Sequence, residues 1–145
     1  MNIRKAKKND LNGLLNLYTN LHDNPFPNID DALIKIWDGI LKDKNHHIII
    51  LERESLIISS CVLITVPNLT HGLRPYAIIE NVITQMDYRN CGYGSKVLEF
   101  AENLAREKNC YKIMLLTGSK EQSIFNFYQK AGFNRKDKTA FIKWL

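Results

Sequence analysis

A nearly continuous apolar run, Tyr76 to Thr84, is followed almost at once by Arg89-Asn90-Cys91-Gly92-Tyr93-Gly94-Ser95, a turn that carries two glycines. Behind the turn, Val97, Leu98, Ala101, Leu104 and Ala105 recur at helical spacing as far as about Lys108, and Tyr111 to Thr117 is again rich in β-formers. Strand, turn, amphipathic helix and second strand pack as a right-handed crossover, so these two strands run parallel in one sheet. The first of them reads as a strand buried on both faces. The other segments have to be fitted around this unit.

Upstream, Ile3 to Ala6 predicts a short strand. Asn9-Asp10 offers an N-cap for a helix with the stripe Leu11, Leu14, Leu15, Tyr18 and Leu21. Asn24-Pro25-Phe26-Pro27-Asn28 interrupts the pattern, which resumes from about Asp30 to Asp43 with Leu33, Ile36, Trp37, Ile40 and Leu41. His47–Glu52 and Leu56–Val66 read as a hairpin around Arg53-Glu54-Ser55, although no glycine marks the turn. Pro67 to Pro75 is a loop. Downstream, Glu121 to Ala131 is a helix with Ile124, Phe127, Tyr128 and Ala131 on one face, and Thr139 to Trp144 closes the chain as a strand. The order βαα-βββ-αβαβ predicts an α/β (α+β) mixed sheet with helices on both faces, in a single domain over residues 1–145. Trp37 and Trp144 are expected in its core.

Composition narrows the function classes. The 145 residues carry 20 Lys+Arg and 15 Asp+Glu, a formal charge of +5, with the cations scattered rather than blocked. That favours an acidic small ligand or a plain solvated surface over nucleic acid. No apolar run is long enough for a membrane helix. The charged start has no apolar stretch behind it, which predicts no secretory leader and a cytoplasmic chain. Cys61, Cys91 and Cys110 contain no C-x-x-C, and His22, His46 and His47 have no metal-ligand spacing, so no metal site is expected. The histidines at 22, 46 and 47 read as solvent-facing or strand-edge residues.

The glycine turn is the informative chemistry. Free amides and the positive dipole end at the start of the following helix form an anion site. A dinucleotide fingerprint would need glycine at Val97, and a nucleotide-triphosphate loop would need Gly-Lys-Ser/Thr where Gly94-Ser95-Lys96 stands. Glu80 interrupts the apolar run, where an unpaired buried carboxylate would be costly. That makes it a candidate base, with a structural partner or a solvent-facing position as the other reading. Strand alternation puts Asn81 on the opposite face. His71 and Arg74, in the loop leading to Glu80, are candidates to meet an acidic group on an acceptor.

Arg89-x-x-Gly92-x-Gly94 resembles the signature of the GNAT superfamily of N-acetyltransferases, and Phe127-Tyr128-Gln129-Lys130-Ala131-Gly132-Phe133 is similar to that family's Phe-Tyr-x-x-x-Gly-Phe. The element order agrees over essentially the whole chain. The resemblance implies acetyl-CoA as donor, with its pyrophosphate on the backbone of Arg89, Asn90, Cys91, Gly92, Tyr93, Gly94 and Ser95. Its pantetheine arm would lie along Val82, Ile83 and Thr84, where the family's sheet splays open. It implies Tyr128 as the acid that protonates the departing thiolate, in a direct transfer that needs no metal and no covalent enzyme intermediate. Many members also carry a glutamate on the strand of Glu80. Where the family often has an asparagine ahead of the Phe-Tyr pair, this chain has Glu121, and Asn126, Ser119 or Ser123 is the substitute candidate. Cys110-Tyr111-Lys112-Ile113 and Glu80-Asn81-Val82 are similar to segments of glucosamine-phosphate N-acetyltransferases. A small-molecule primary amine is therefore the expected acceptor. A protein or peptide amine, and a non-catalytic acyl-CoA sensor, are the alternatives. The family often forms homodimers; the sequence shows no interface of its own.

Overall fold

The computed structural model describes residues 1–21 and 24–145. They group into two compact units, Met1–Leu115 and Leu116–Leu145. The first unit is a five-stranded sheet in the order β1 (Asn2–Lys5), β2 (His46–Arg53), β3 (Leu56–Val66), β4 (Tyr76–Thr84) and β5 (Ile113–Leu115). The first four strands pair antiparallel, whereas β4 and β5 run parallel, as the crossover through α3 (Tyr93–Glu107) requires. The β2–β3 hairpin turns without glycine because Glu54 (φ 51°) and Ser55 (φ 65°) both adopt the left-handed conformation. Two such residues in succession give the turn twist that a hairpin favours.

Helices α1 (Leu11–Tyr18) and α2 (Asp31–Lys42) cover one face. Leu14, Leu17 and Trp37 pack there with Ile48, Ile50, Ile57, Val62 and Ile83. The alternate residues Ile49, Leu51, Cys61 and Leu63 point to the other face, and Cys61 Sγ lies 3.6 Å from the carbonyl of Val97 in α3. Every residue of the α3 stripe read from the sequence is buried. In α2 the stripe is narrower than expected, because Ile36 is exposed while Trp37 is buried and donates its indole N–H to the Lys8 carbonyl at 3.1 Å.

The expected N-cap at Asn9-Asp10 has a different form. A single helical turn, Lys8–Asp10, precedes α1. The Asp10 carboxylate accepts from the Lys7 amide at 2.6 Å and from Arg4 at 2.6 and 2.9 Å. Arg4 also reaches Glu52 at 2.6 Å, so one guanidinium ties the start of α1 to β1 and β2. These hydrogen bonds hold the Asp10 carboxyl below its ordinary range. At α2, Asp30 caps in the usual way, accepting from the Leu33 amide at 2.9 Å.

Three expectations are corrected here. β4 is not buried on both faces: Ala77, Ile79 and Ile83 are buried, but Glu80 and Asn81 are exposed, because β5 flanks only the first part of the strand. Thr139–Trp144 is not a strand, and Trp144 and Phe141 are exposed. A strand needs a neighbour to pair its backbone, and an apolar pattern alone does not supply one. His47 is buried at 7% exposure, since it shares the α3-facing side of β2 with Ile49 and Leu51; His46 is half-buried, and His22 lies outside the described residues.

The second unit contains α4 (Gln122–Lys130), closed by Gly132 at φ 87°. No helix among the described residues is long and apolar enough to cross a membrane.

Burial pushes the His47 pKa down to about 4, with Lys5, Lys108 and His46 adding to the effect and Asp43 opposing it. The unfolded chain takes up this proton near pH 6.5, so stability is fully present above that value and falls as pH drops towards about 4. Urea unfolding of the wild type and His47→Phe across pH 4 to 7 should show this segment of slope only in the wild type. Parallel profiles would mean that His47 is not held neutral.

Candidate active site

The site begins where β4 outruns β5. Their parallel pairing covers Ala77↔Ile113, Ile78↔Met114 and Ile79↔Leu115, and β4 then continues to Thr84 without β5 beside it. On its other side, β4 stays attached to β3, but the register shifts. Val62 faces Glu80 and Ser60 faces Ile83, so Asn81 and Val82 together oppose Cys61. This is a bulge, and Asn81 takes a left-handed φ of 50° to make it. Simple alternation therefore does not govern which way Asn81 points.

Beyond the bulge the strand is pinned again. Ser59 Oγ donates to the Ile83 carbonyl at 3.0 Å and shares a 2.9 Å hydrogen bond with Thr84 Oγ1, while the Gln85 amide reaches Ile58 O at 2.9 Å. The backbone from Val82 to Thr84 is thus held from the β3 side, and no strand among the described residues pairs with its opposite edge. Among the candidates on this strand, Ile83 is buried, Val82 and Thr84 are half-buried and Glu80 is exposed.

The chain leaves β4 through one helical turn, Met86–Tyr88. Arg89 Nε donates back to the Thr84 carbonyl at 3.2 Å, so this arginine fastens the turn to the strand end. Asn90 (φ 61°) and Gly92 (φ 78°) then bend the chain into α3. Gly92 is the N-cap residue and supplies no side-chain hydrogen bond, so the leading amides of α3 receive no cap from it. Those amides and the helix dipole form an anion-attracting end. Asn90, Cys91 and Ser95 are exposed around it, and Tyr93 and Gly94 are half-buried.

The loop residues behave differently from the expectation of a free clamp. His71 (φ 52°) stacks on Tyr111 with ring centroids 3.9 Å apart. Arg74 donates from Nε to the Asn109 carbonyl at 3.2 Å and from Nη2 to Cys110 O at 3.1 Å. Both are therefore tied to the segment entering β5, before the start of β4, whereas Glu80 lies about 13 Å further along the strand. The geometry does not bring them together with Glu80.

In the second unit, Tyr128 is half-buried on α4, with the Phe127 ring centroid 4.9 Å and the Phe133 centroid 6.3 Å away. The Phe133 amide returns to the Tyr128 carbonyl at 3.1 Å, closing the helix around Gly132. Asn126 is exposed and accepts from Gln122 Nε2 at 2.8 Å.

Comparison with known proteins decides the family. The model of the acetyltransferase (GNAT) family matches residues 11–133. The chain belongs to this family. A solved structure described as a putative acetyltransferase from Agrobacterium tumefaciens is 36% identical, with 100% of both chains covered and a TM-score of 0.93. Glucosamine-6-phosphate N-acetyltransferase from Arabidopsis thaliana shares the fold at a TM-score of 0.86, at 22% identity over 99% of this chain and 97% of that one. A curated glucosamine 6-phosphate N-acetyltransferase from Trypanosoma brucei brucei is 34% identical over 82 residues, 57% of this chain and 54% of the relative. The chain thus spans about half the length of that curated relative.

Within the GNAT frame, sequence reasoning overlooked Ser59 and Arg53. Ser59 reads as one more residue of a β-rich run, and nothing local shows that its hydroxyl pins the end of β4. Arg53 sits in the hairpin turn, 40 positions from Tyr93, yet its Nη1 donates to the Tyr93 hydroxyl at 3.1 Å. No sequence pattern relates residues so far apart.

A Cβ on Gly92 would meet no atom within 4 Å, so glycine is required for its dihedral and not for space. Gly92→Ala should therefore cost about 1–2 kcal/mol in urea unfolding, whereas Gly39→Ala, in a helix and equally unobstructed, should be neutral or stabilising. Equal effects at the two positions would refute the left-handed geometry of the turn.

Proposed function

We propose that the protein transfers an acetyl group from acetyl-CoA to a primary amine of a small molecule, by direct attack in a ternary complex. The observation that carries this reading is the edge of β4 beyond Ile79, which no strand among the described residues pairs, followed through one helical turn by the start of α3, where the N-cap Gly92 has no side chain to bond the leading amides. An open strand edge offers backbone hydrogen bonds to an extended amide-bearing arm. The helix start offers amides to a diphosphate. Coenzyme A has both groups in that order, and its thioester supplies a carbonyl already activated towards amines.

The chain's own residues supply the proton traffic. An amine at neutral pH is protonated and must lose that proton before its lone pair can attack. Glu80, exposed beside the bulge, is the group we assign to take it, directly or through water. As the carbon–sulfur bond breaks, the Tyr128 phenol gives its proton to the departing thiolate. The role of Tyr128 rests on its place in the Phe-Tyr motif. The 34% identity to a glucosamine 6-phosphate N-acetyltransferase supports a small amine, with an amino sugar phosphate as the first acceptor to try.

A thiol-release assay with acetyl-CoA against a panel of amino sugars, amino sugar phosphates, polyamines and peptide amines tests this. Acceptor-dependent release is expected, lowered about 10²-fold or more by Tyr128→Phe and by Glu80→Gln. Release that no acceptor stimulates, despite measurable CoA binding, would favour a sensor. Variants as active as the wild type would remove the assigned roles.

A further inference from the structure

Arg53 and Tyr93 form a pair that stability does not account for. Arg53 is about half exposed, at 46%, and its ion pair with the Glu54 carboxylate (Nε to Oε1, 3.3 Å) joins neighbours in a turn. Exposed pairs of this kind contribute little. Nevertheless its Nη1 is held by the Tyr93 hydroxyl at 3.1 Å, across 40 positions of sequence, at an ordering cost in side-chain entropy. The Tyr88 ring lies 6.3 Å from that of Tyr93 and is tilted against it.

The hydrogen-bond polarity of the pair is informative. Tyr93 accepts from Arg53, so the phenol proton is left to be given to a different acceptor. The Arg53 Nη2 has no protein partner among the described residues. Two donors, one of them cationic, are thus linked at the first residue of α3, beside the uncapped amides. Of the other cations near the turn, Arg89 donates Nε to Thr84 O, and Lys96 Nζ lies 4.0 Å from the Met1 sulfur.

A guanidinium edge beside a phenol hydroxyl offers two donors to the terminal oxygens of a phosphomonoester, while the turn amides suit a diphosphate. We infer that the Arg53–Tyr93 pair recognises the phosphomonoester on the ribose of the donor, and so distinguishes CoA from dephospho-CoA. The inference rests on the acetyl-CoA reading above and adds a specificity residue from the β2–β3 hairpin. Glu54 occupies the Nε side of the guanidinium and leaves the Nη edge to the ligand.

Calorimetric titration of the full chain with CoA and with dephospho-CoA, without acceptor, tests it. The wild type should bind CoA about tenfold more tightly than dephospho-CoA, with the ratio shrinking as salt is raised. Arg53→Ala should bring the ratio close to one, and Arg53→Lys and Tyr93→Phe should leave intermediate ratios. A wild type that binds both molecules equally, or an Arg53→Ala variant that keeps the wild-type ratio, overturns this inference and leaves the donor reading standing. Failure of the wild type to bind either molecule overturns both. A phosphorylated acceptor sensitive to Arg53→Ala, with the donor ratio unchanged, would place the phosphomonoester on the acceptor instead and also overturns it.

Discussion

Backbone groups have to find partners, and β4 satisfies this requirement on one side only. Along its whole length it leans on β3; along its far half, nothing in the sheet meets its other edge. An unpaired edge in a sheet centre would be destabilising if it were buried and dry. Here it is tolerated because the bulge at Asn81 turns Glu80 and Asn81 to the surface, and because Ser59 and the Gln85 amide pin the strand end from the β3 side. The open edge, the exposed carboxylate and the approach to the glycine turn all follow from that one-sided attachment.

The rest of the first unit holds β4 still. β2 and β3 are buried on both faces, with Ile49, Ile50, Leu51, Ile58 and Leu63 all effectively inaccessible. Each such side chain contributes about 1.5–3 kcal/mol of burial. A sheet centre packed this way is stiff, so the displacement at the bulge is a fixed feature of the strand. The Arg4–Asp10–Glu52 cluster performs a smaller version of the same task at the other sheet edge, where it locks the entry of α1 onto β1 and β2.

Much of the architecture was legible because its signals are local. The α3 stripe, the parallel crossover, the hairpin and the glycine turn each rest on residues close together in sequence. Where legibility failed, the deciding contacts were distant. His47 looks like a polar edge residue until β3 and α3 are packed against β2. Trp144 looks like core until Thr139–Trp144 is found outside the sheet, with the indole exposed. The guanidinium of Arg74 is held by the carbonyls of Asn109 and Cys110, 35 and 36 positions away, which nothing near Arg74 in the sequence announces.

By itself, then, the sequence determined the family, the order of the elements as far as α4, and the two motifs, since periodicity and turn chemistry are properties of short stretches of chain. Only the tertiary structure decided where β4 parts from β5, which way its bulge turns, and which cation stands beside the anion-binding turn. Those depend on the pairing register between strands and on side chains meeting across 40 positions. A single residue of slip in register would move each of them, and no local pattern specifies that register.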